Sequence, residues 1–299
     1  MTKEKGWIMS IDVVIRQKGL LKKRLPLNVI LGNELACGVY DNALRLEEKP
    51  DNPDRAGEIL VYRPERYARG VSVVWTAQEK RQVSLRALTP STVQELSDFY
   101  GMVARISGFW SCSLEVDGNP MSPAEFQAGF DDMLDFNRRM TEHMARQILK
   151  DENKELTFFS ARWPLTAGRD EALRFLENPD SFGEWLNDRQ SMDVYFAAPG
   201  FFQTEECIVG RFALTAGVRS VFPTVPRVPL GFADPETGKS LEVSRWEAAL
   251  CSLEDDAPLG WLEYGEMIAK IPEEKTLRYD ESAILIEALS RDELLAMLR

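Results

Sequence analysis

SPAEFQAGFDDMLDFNRRMTEHMARQILK (residues 122–150) is the stretch whose pattern decides the fold class of this 299-residue chain. Its first four residues form a capping box, in which Ser122 caps a helix, Pro123 takes the first helical position and Glu125 returns to the cap. Apolar side chains then recur at helical spacing from Phe126 onward. The pattern predicts one long helix over about 122–150.

Strand and helix patterns alternate on both sides of this helix. Apolar residues alternate with polar ones, as in half-buried strands, at 11–15, 71–75, 83–87 and 112–116. Thr89-Pro90 predicts the start of a further helix by its capping residue and first-turn proline.

Toward the C-terminus the same reasoning predicts strands at 156–161, 192–198, 206–214 and 284–289, and helices at 169–177 and after the capping boxes at 181–184 and 290–293. The proline-spaced segment 221–232 is excluded as a central strand, because proline lacks a ladder donor. Interspersed strands and helices indicate an α+β fold with mixed, largely antiparallel sheets and several capped helices.

The charged run DENKE (151–155) is the predicted link between an N-terminal lobe (1–150) and a C-terminal lobe (151–299), unless the chain forms one continuous domain. Residues 1–8 are expected to be a loose extension, since Met9 offers an alternative start.

Charge is unevenly distributed along the chain. Residues 1–100 carry 16 Lys+Arg against 13 Asp+Glu, while residues 101–299 carry 20 against 35, for a net charge of −12. The acidic part argues against nucleic-acid binding, which needs a basic footprint. The mildly basic first third could instead face an anionic partner.

Several features indicate a cytoplasmic protein. The N-terminus has no apolar segment of signal-peptide length, no stretch is long enough to span a bilayer, and there is no Asn-x-Ser/Thr sequon. The four cysteines are far apart with no CxxC pair, which fits reduced thiols. We expect no membrane partner.

One histidine, His143, restricts the available chemistry. A single copy excludes multi-histidine metal sites and leaves at most one nucleophile–histidine dyad. We expect a surface or packing role for it. The segment ADPETGKS (233–240) fits a loose P-loop pattern, but Pro235 removes a backbone donor and the acidic side chains repel phosphate, so a tight turn is favoured. No cofactor is expected.

The best candidate binding segment is YRPERYAR (62–69), between two predicted strands. Its three arginines suit carboxylate or phosphate and its tyrosines supply rigid contact area, which singles out Tyr62, Arg63, Arg66, Tyr67 and Arg69. The alternative is an ordinary solvated connection between strands.

Two further features lie on the predicted long helix. Asn137 falls in its apolar stripe, where it either bonds neighbouring backbone or lines a polar pocket. Asp131, Asp135 and Glu142 share one face with interleaved arginines, which favours surface ion pairs over a metal site.

The order of the segments MSIDVVIRQKGLLKKRLPL, CGVYDNALRLEE, LVYRPERYARGVSV and IPEEKTLRYDESAILIEALSRDEL resembles an uncharacterised bacterial family, a domain of unknown function, from about Met9 to the end. The resemblance implies a bacterial cytoplasmic protein and no assigned activity. Together with the shortage of catalytic side chains, it leads us to expect a non-catalytic interaction or accessory protein whose partner is a protein or a small anionic ligand. The competing hypothesis is an enzyme with an all-oxygen divalent-metal or carboxylate site, such as a hydrolase.

Overall fold

The structure is a computed structural model that describes residues 9–40, 45–48, 50, 53–76, 78, 80–151, 154–205, 207–229, 232 and 241–299. By their contacts these residues form two compact units, one ending at Ser191 and the other beginning at Met192. The expected extension 1–8 and the P-loop-like segment 233–240 lie outside the described residues.

An eight-stranded antiparallel sheet organises the described part of the first unit. In the order β3-β2-β4-β5-β6-β1-β7-β8, it contains β1 (Ser10–Gln17), β2 (Ala36–Tyr40), β3 (Leu46–Glu48), β4 (Glu58–Tyr62), β5 (Val71–Val74), β6 (Gln82–Leu88), β7 (Cys112–Val116) and β8 (Asn119–Met121). A separate pair, β9 (Leu156–Phe158) and β10 (Leu165–Ala167), is also antiparallel. The strands predicted at 11–15, 71–75, 83–87 and 112–116 are thus confirmed.

Six helices accompany these strands in the described part of the unit: α1 (Leu27–Leu31), α2 (Val93–Phe109), α3 (Pro123–Ala128), α4 (Phe130–Ile148), α5 (Arg169–Glu177) and α6 (Ser181–Gln190). Strand β1 shows how they form a core. Ile11, Val13 and Ile15 are buried on one face, in one apolar cluster with Phe99 and Val103 of α2. The period-2 pattern of the strand and the helical stripe of α2 meet there.

The capping box at Ser122 is confirmed: its hydroxyl accepts from Glu125 N–H, and the Glu125 carboxylate accepts from Ser122 N–H. The predicted single helix is wrong in one respect, because it divides at Gly129 into α3 and α4. Glycine weakens a helix at that point, and Gly129 N–H is shared between the carbonyl oxygens of Glu125 and Phe126.

Helix α2 begins later than its sequence pattern predicts. Thr92 rather than Thr89 is its cap, since the Thr92 hydroxyl accepts from Glu95 N–H at 2.9 Å. The box at 181–184 is also not formed, because Ser181 is already helical and its hydroxyl donates to Asn178 O at 2.6 Å.

By their contacts residues 156–190 belong to the first unit, which ends at Ser191. Phe158, Phe175, Phe182 and Trp185 form one buried aromatic cluster from β9, α5 and α6. The Gln190 side chain donates to Ala68 O at 2.8 Å. These contacts join the residues after the predicted link at 151–155 to the first unit.

The second unit contains two four-stranded sheets among its described residues. One has the order β11-β14-β18-β17 and the other β12-β13-β15-β16. The strands are β11 (Tyr195–Phe196), β12 (Gly200–Gln203), β13 (Ile208–Thr215), β14 (Ser220–Pro223), β15 (Arg245–Cys251), β16 (Gly260–Glu263), β17 (Thr276–Arg278) and β18 (Ala283–Ile286), with helices α7 (Tyr264–Lys270) and α8 (Arg291–Met297). Among the strand pairs of the described residues only β11–β14 and β13–β15 are parallel, so the mixed, largely antiparallel α+β fold is confirmed.

Strand β14 corrects the exclusion of 221–232 from a central position. It lies between β11 and β18, with Val221 and Phe222 buried. Pro223 is tolerated because it is the last residue of the strand, where the missing N–H no longer interrupts the ladder.

No helix among the described residues has the length and apolar character needed to cross a membrane.

Candidate functional site

The tyrosines of segment 62–69 are structural. Tyr62, at the end of β4, and Tyr67 are both buried and stack with ring centroids 5.5 Å apart. The Tyr67 hydroxyl donates to a Glu48 carboxylate oxygen at 2.8 Å. Burial and this hydrogen bond raise the pKa of Tyr67 to about 12. The two tyrosine rings therefore make their contacts inside the protein.

Arg63 holds the segment to α2. Its Nε and Nη2 donate to the two carboxylate oxygens of Asp98 at 3.0 and 2.6 Å, and Nη2 also reaches Glu34 at 2.7 Å. These hydrogen bonds raise the pKa of Arg63 above its usual range. The Nε and Nη2 donors of its guanidinium are therefore used within the chain.

Arg69 is only 4% exposed. Its Nε donates to Phe159 O at 2.7 Å and its Nη1 to Pro90 O at 3.2 Å, while the guanidinium lies 5.7 Å from the Phe158 ring centroid. Desolvation lowers the pKa of Arg69 to about 10. The charge is thus retained at neutral pH and is solvated by carbonyl oxygens instead of water.

Glu95, in the first turn of α2, lies close to Arg69. Its carboxylate accepts from the backbone N–H groups of Arg69 at 3.0 Å and Gly70 at 2.5 Å, and from the Ser91 hydroxyl. Burial raises the pKa of Glu95, and the hydrogen bonds oppose that shift. Sequence reasoning missed this residue, since a glutamate in the first turn is an ordinary helix-start signal.

Asn137 joins the same network from α4. Its Oδ1 accepts from Ser91 N–H at 2.8 Å and its Nδ2 donates to Ser91 O at 2.9 Å. Two features that the sequence presents separately, Arg69 and Asn137, are therefore connected through Ser91 and Glu95. The network is buried and satisfied, so Asn137 serves the backbone and not an open polar pocket.

Arg66 is the exposed arginine of segment 62–69. It lines a cleft of about 340 Å³ with Glu65, the start of α2 and side chains of α6. Its backbone N–H donates to Arg63 O at 3.3 Å, but within the part of the chain that the structure describes its side chain has no hydrogen-bond or ion-pair partner.

The remaining sequence candidates are engaged locally. The His143 Nε2 lies 3.4 Å from Gln147 Nε2 on the same helix. Arg146 pairs with Glu142 at 2.9 Å, and Arg138 lies 3.9 Å from Asp135, in line with the ion-pair interpretation of this face. No three His, Cys, Asp or Glu side chains of the described residues are grouped as a metal site requires.

A different surface stands out, the loop that follows β1, which we call the basic loop (residues 18–24). Hydrogen bonds hold both of its ends. Lys18 N–H donates to Ser111 O at 2.6 Å. At the other end the buried Gln17 side chain accepts from Lys23 N–H through Oε1 at 2.7 Å, and its Nε2 donates to Lys23 O at 2.8 Å and to Lys80 O at 2.9 Å. Trp110 Nε1 also donates to Lys23 O, at 3.0 Å. Trp75 Nε1 donates to Leu25 O at 2.9 Å, next to the loop.

The tip of the basic loop carries two apolar side chains in full contact with solvent. Leu20 is 100% exposed and Leu21 93% exposed. Lys18, Lys22, Lys23 and Arg24 surround them in sequence, and the loop contains no acidic residue. Gly19, at φ 85°, provides the turn into the tip.

The sequence does contain a signal for this site. KGLLKKR places two leucines where the strand alternation of β1 has ended and no helical period has begun, with four basic residues around them. Such a segment matches neither the alternation of a strand nor the period of a helix, so its periodicity does not indicate a structure. The sequence does not indicate that Leu20 and Leu21 are exposed, since leucines are more often buried.

Comparisons with known proteins give one match. No curated protein and no solved structure matches the chain. A family model matches residues 10–297, which include the basic loop, segment 62–69 and Asn137. The resemblance to a domain of unknown function is thereby confirmed: this chain belongs to the family described as Domain of unknown function (DUF4299).

Proposed function

We propose that this chain is a non-catalytic accessory protein of the bacterial cytoplasm that docks on an anionic partner through the basic loop. The observation that carries the proposal is the near-complete exposure of Leu20 and Leu21 on a loop whose ends are hydrogen-bonded in place. Its four free cysteines fit a reducing compartment.

Energetics favour a partner for this tip. Burying a leucine side chain is worth about 1.5–3 kcal/mol, so covering both would contribute about 3–6 kcal/mol to association. The hydrogen bonds from Gln17 and Trp110 already order the loop ends, which reduces the entropy lost on docking. The flanking cations add attraction toward negative charge and select the partner by sign.

The cleft at Arg66 supports a docking role less well. Its rim combines that one arginine with the carboxylates of Glu65, Asp180 and Glu184. Asp180 pairs with Arg138 and Glu184 with Arg174, so these groups are already committed within the chain. An anionic partner meets a more uniform positive surface at the basic loop.

A photo-crosslinking residue in place of Leu21 tests the proposal in the producing cells. The matched control carries the same residue in place of Leu253, which is 88% exposed but is followed by Glu254, Asp255 and Asp256. We expect adducts at position 21, detected by gel shift and intact mass, and their loss in a Lys18→Glu, Lys23→Glu background. Adducts at position 21 no more abundant than those at position 253 would overturn the proposal.

A further inference from the structure

We infer that the anionic partner of the basic loop is the surface of a lipid bilayer rich in anionic headgroups, with Leu20 and Leu21 entering the boundary between headgroups and acyl chains. The inference rests on the proposed docking function and names its partner. It departs from the expectation of no membrane partner, which is based on the lack of a membrane-spanning stretch and not on peripheral binding.

The chemistry of the loop meets the two requirements of an interfacial anchor. Apolar side chains at the tip enter the membrane by about 5–10 Å, and basic side chains around them contact the headgroups. Leu20 and Leu21 supply the first, and Lys18, Lys23 and Arg24, all exposed, supply the second. Lys22 is partly withdrawn, since its Nζ donates to Gln17 O.

The size of the surface argues against a folded protein as the partner. A stable interface uses about 800 Å² and about 20–30 residues on each side. The basic loop offers seven residues (18–24), and the strand that precedes it is part of the sheet. A bilayer needs no complementary pocket, so a small apolar tip is sufficient for it.

The chemistry of the tip also argues against nucleic acid. Single-stranded nucleic acids are bound by aromatic side chains that stack on the bases. The basic loop has none, and the indoles that bond Lys23 O and the adjacent Leu25 O, those of Trp110 and Trp75, are buried. Two exposed leucines have no matching group on a phosphate backbone.

The net charge of −12 does not prevent the basic loop from approaching such a membrane. At physiological salt, charges interact over about 8 Å, so the headgroups respond to the nearest side chains and not to the whole molecule. The acidic groups nearest along β1 are compensated: Asp12 pairs with Arg86 at 2.6 Å, and Glu115 with Arg16 at 2.5 Å. Docking therefore presents the basic loop first and is sensitive to salt.

Vesicle flotation with the full-length protein tests the inference. The probes are vesicles of phosphatidylcholine alone and vesicles with about one third phosphatidylglycerol. We expect flotation only with the anionic vesicles. Each basic side chain contributes on the order of fivefold to partitioning, so Lys18→Gln, Lys23→Gln and Arg24→Gln together should reduce it by about a hundredfold.

The apolar part of the anchor has its own variant and matched control. Leu20→Ser with Leu21→Ser should lower partitioning by at least about a hundredfold, while Leu253→Ser leaves it unchanged. All three positions are exposed, and an unaltered urea midpoint confirms that the variants fold.

Three results would overturn the bilayer as partner: no flotation with anionic vesicles, flotation that ignores the phosphatidylglycerol fraction, or equal flotation of the two serine variants. If crosslinks at position 21 to one discrete protein accompany any of these, the docking function stands and its partner is that protein. If neither crosslinks nor flotation occur, both proposals fail.

Discussion

Asn137 allows the buried network to be tested by two substitutions that keep the same branched arrangement of side-chain heavy atoms. Its amide satisfies Ser91 N–H at 2.8 Å and Ser91 O at 2.9 Å, and it is 5% exposed. Asn137→Leu fills the space but leaves both backbone groups unpaired. Each unpaired buried group costs about 1–3 kcal/mol, so we expect the free energy of unfolding to fall by about 3 kcal/mol.

Asn137→Asp makes the sharper prediction, because its effect depends on pH. The ionised carboxylate accepts from Ser91 N–H but opposes Ser91 O, whereas the protonated carboxyl donates to that oxygen as the amide does. Burial raises the folded-state pKa of the new carboxyl above its unfolded value of about 3.9. The folded state then binds the proton more tightly, so the stability deficit is largest above the folded pKa and shrinks as pH falls toward 3.9.

The measurement is urea unfolding of both variants and the wild type at pH 7 and pH 4.5, followed by far-ultraviolet circular dichroism. Taking the difference from wild type at each pH cancels the titration shared with Glu95. We expect the deficit of Asn137→Asp to shrink by about 2 kcal/mol between the two pH values, and that of Asn137→Leu to stay constant. Arg139→Ala, at an exposed position on α4, should change stability by less than about 0.5 kcal/mol. A deficit of Asn137→Asp that is equal at both pH values would refute the described hydrogen bonds.

Two further predictions concern the backbone and the acid stability of the protein. Gly70→Ala should lower the free energy of unfolding by about 2–4 kcal/mol, since Gly70 has φ 73° and an added Cβ would meet Leu60 side-chain atoms at 2.6 Å. Gly57→Ala, at φ 74° with open space around it, should lower the free energy of unfolding by only about 1 kcal/mol. Equal values for the two variants in urea unfolding would contradict the close contact at Gly70. Glu287 has a pKa lowered from 4.5 by its hydrogen bonds from Arg219, so its contribution is present above pH 4.5 and is lost as pH falls through the folded pKa. Arg219→Gln should therefore reduce the drop in urea midpoint between pH 7 and pH 3, and an unchanged drop would show that the pair contributes nothing.

Local signals in the sequence predicted much of the fold. The capping boxes at Ser122 and Ser290 both form, because a serine and a glutamate three residues apart need nothing beyond their own helix. The alternation in β1 is matched by its burial pattern. The exclusion of a central strand at 221–232 was wrong because a longer-range interaction decided the outcome. Residues 221–223 became a central strand once β11 and β18 were available as neighbours, and proline alone did not indicate this.

The site was less predictable than the fold, for a physical reason. Whether Arg69 faces a partner or the core depends on the carbonyl groups of Phe159 and Pro90, which come from distant parts of the chain. From the sequence alone, the three arginines of 62–69 are equally good candidates for binding an anion. The fold pairs one with Asp98, buries another and leaves Arg66 exposed.

A buried arginine and two exposed leucines depart from the usual burial of these residue types, and for different reasons. Burying the Arg69 charge is unfavourable, but carbonyl oxygens at 2.7 and 3.2 Å and the nearby Glu95 carboxylate compensate it within the unit. Exposing Leu20 and Leu21 is also unfavourable, and the loop around them is held by hydrogen bonds that keep them out of the core. Folding alone explains the buried arginine, because removing its acceptors would destabilise the unit. The exposed leucines gain nothing from folding, and for that reason we propose that a second surface covers them.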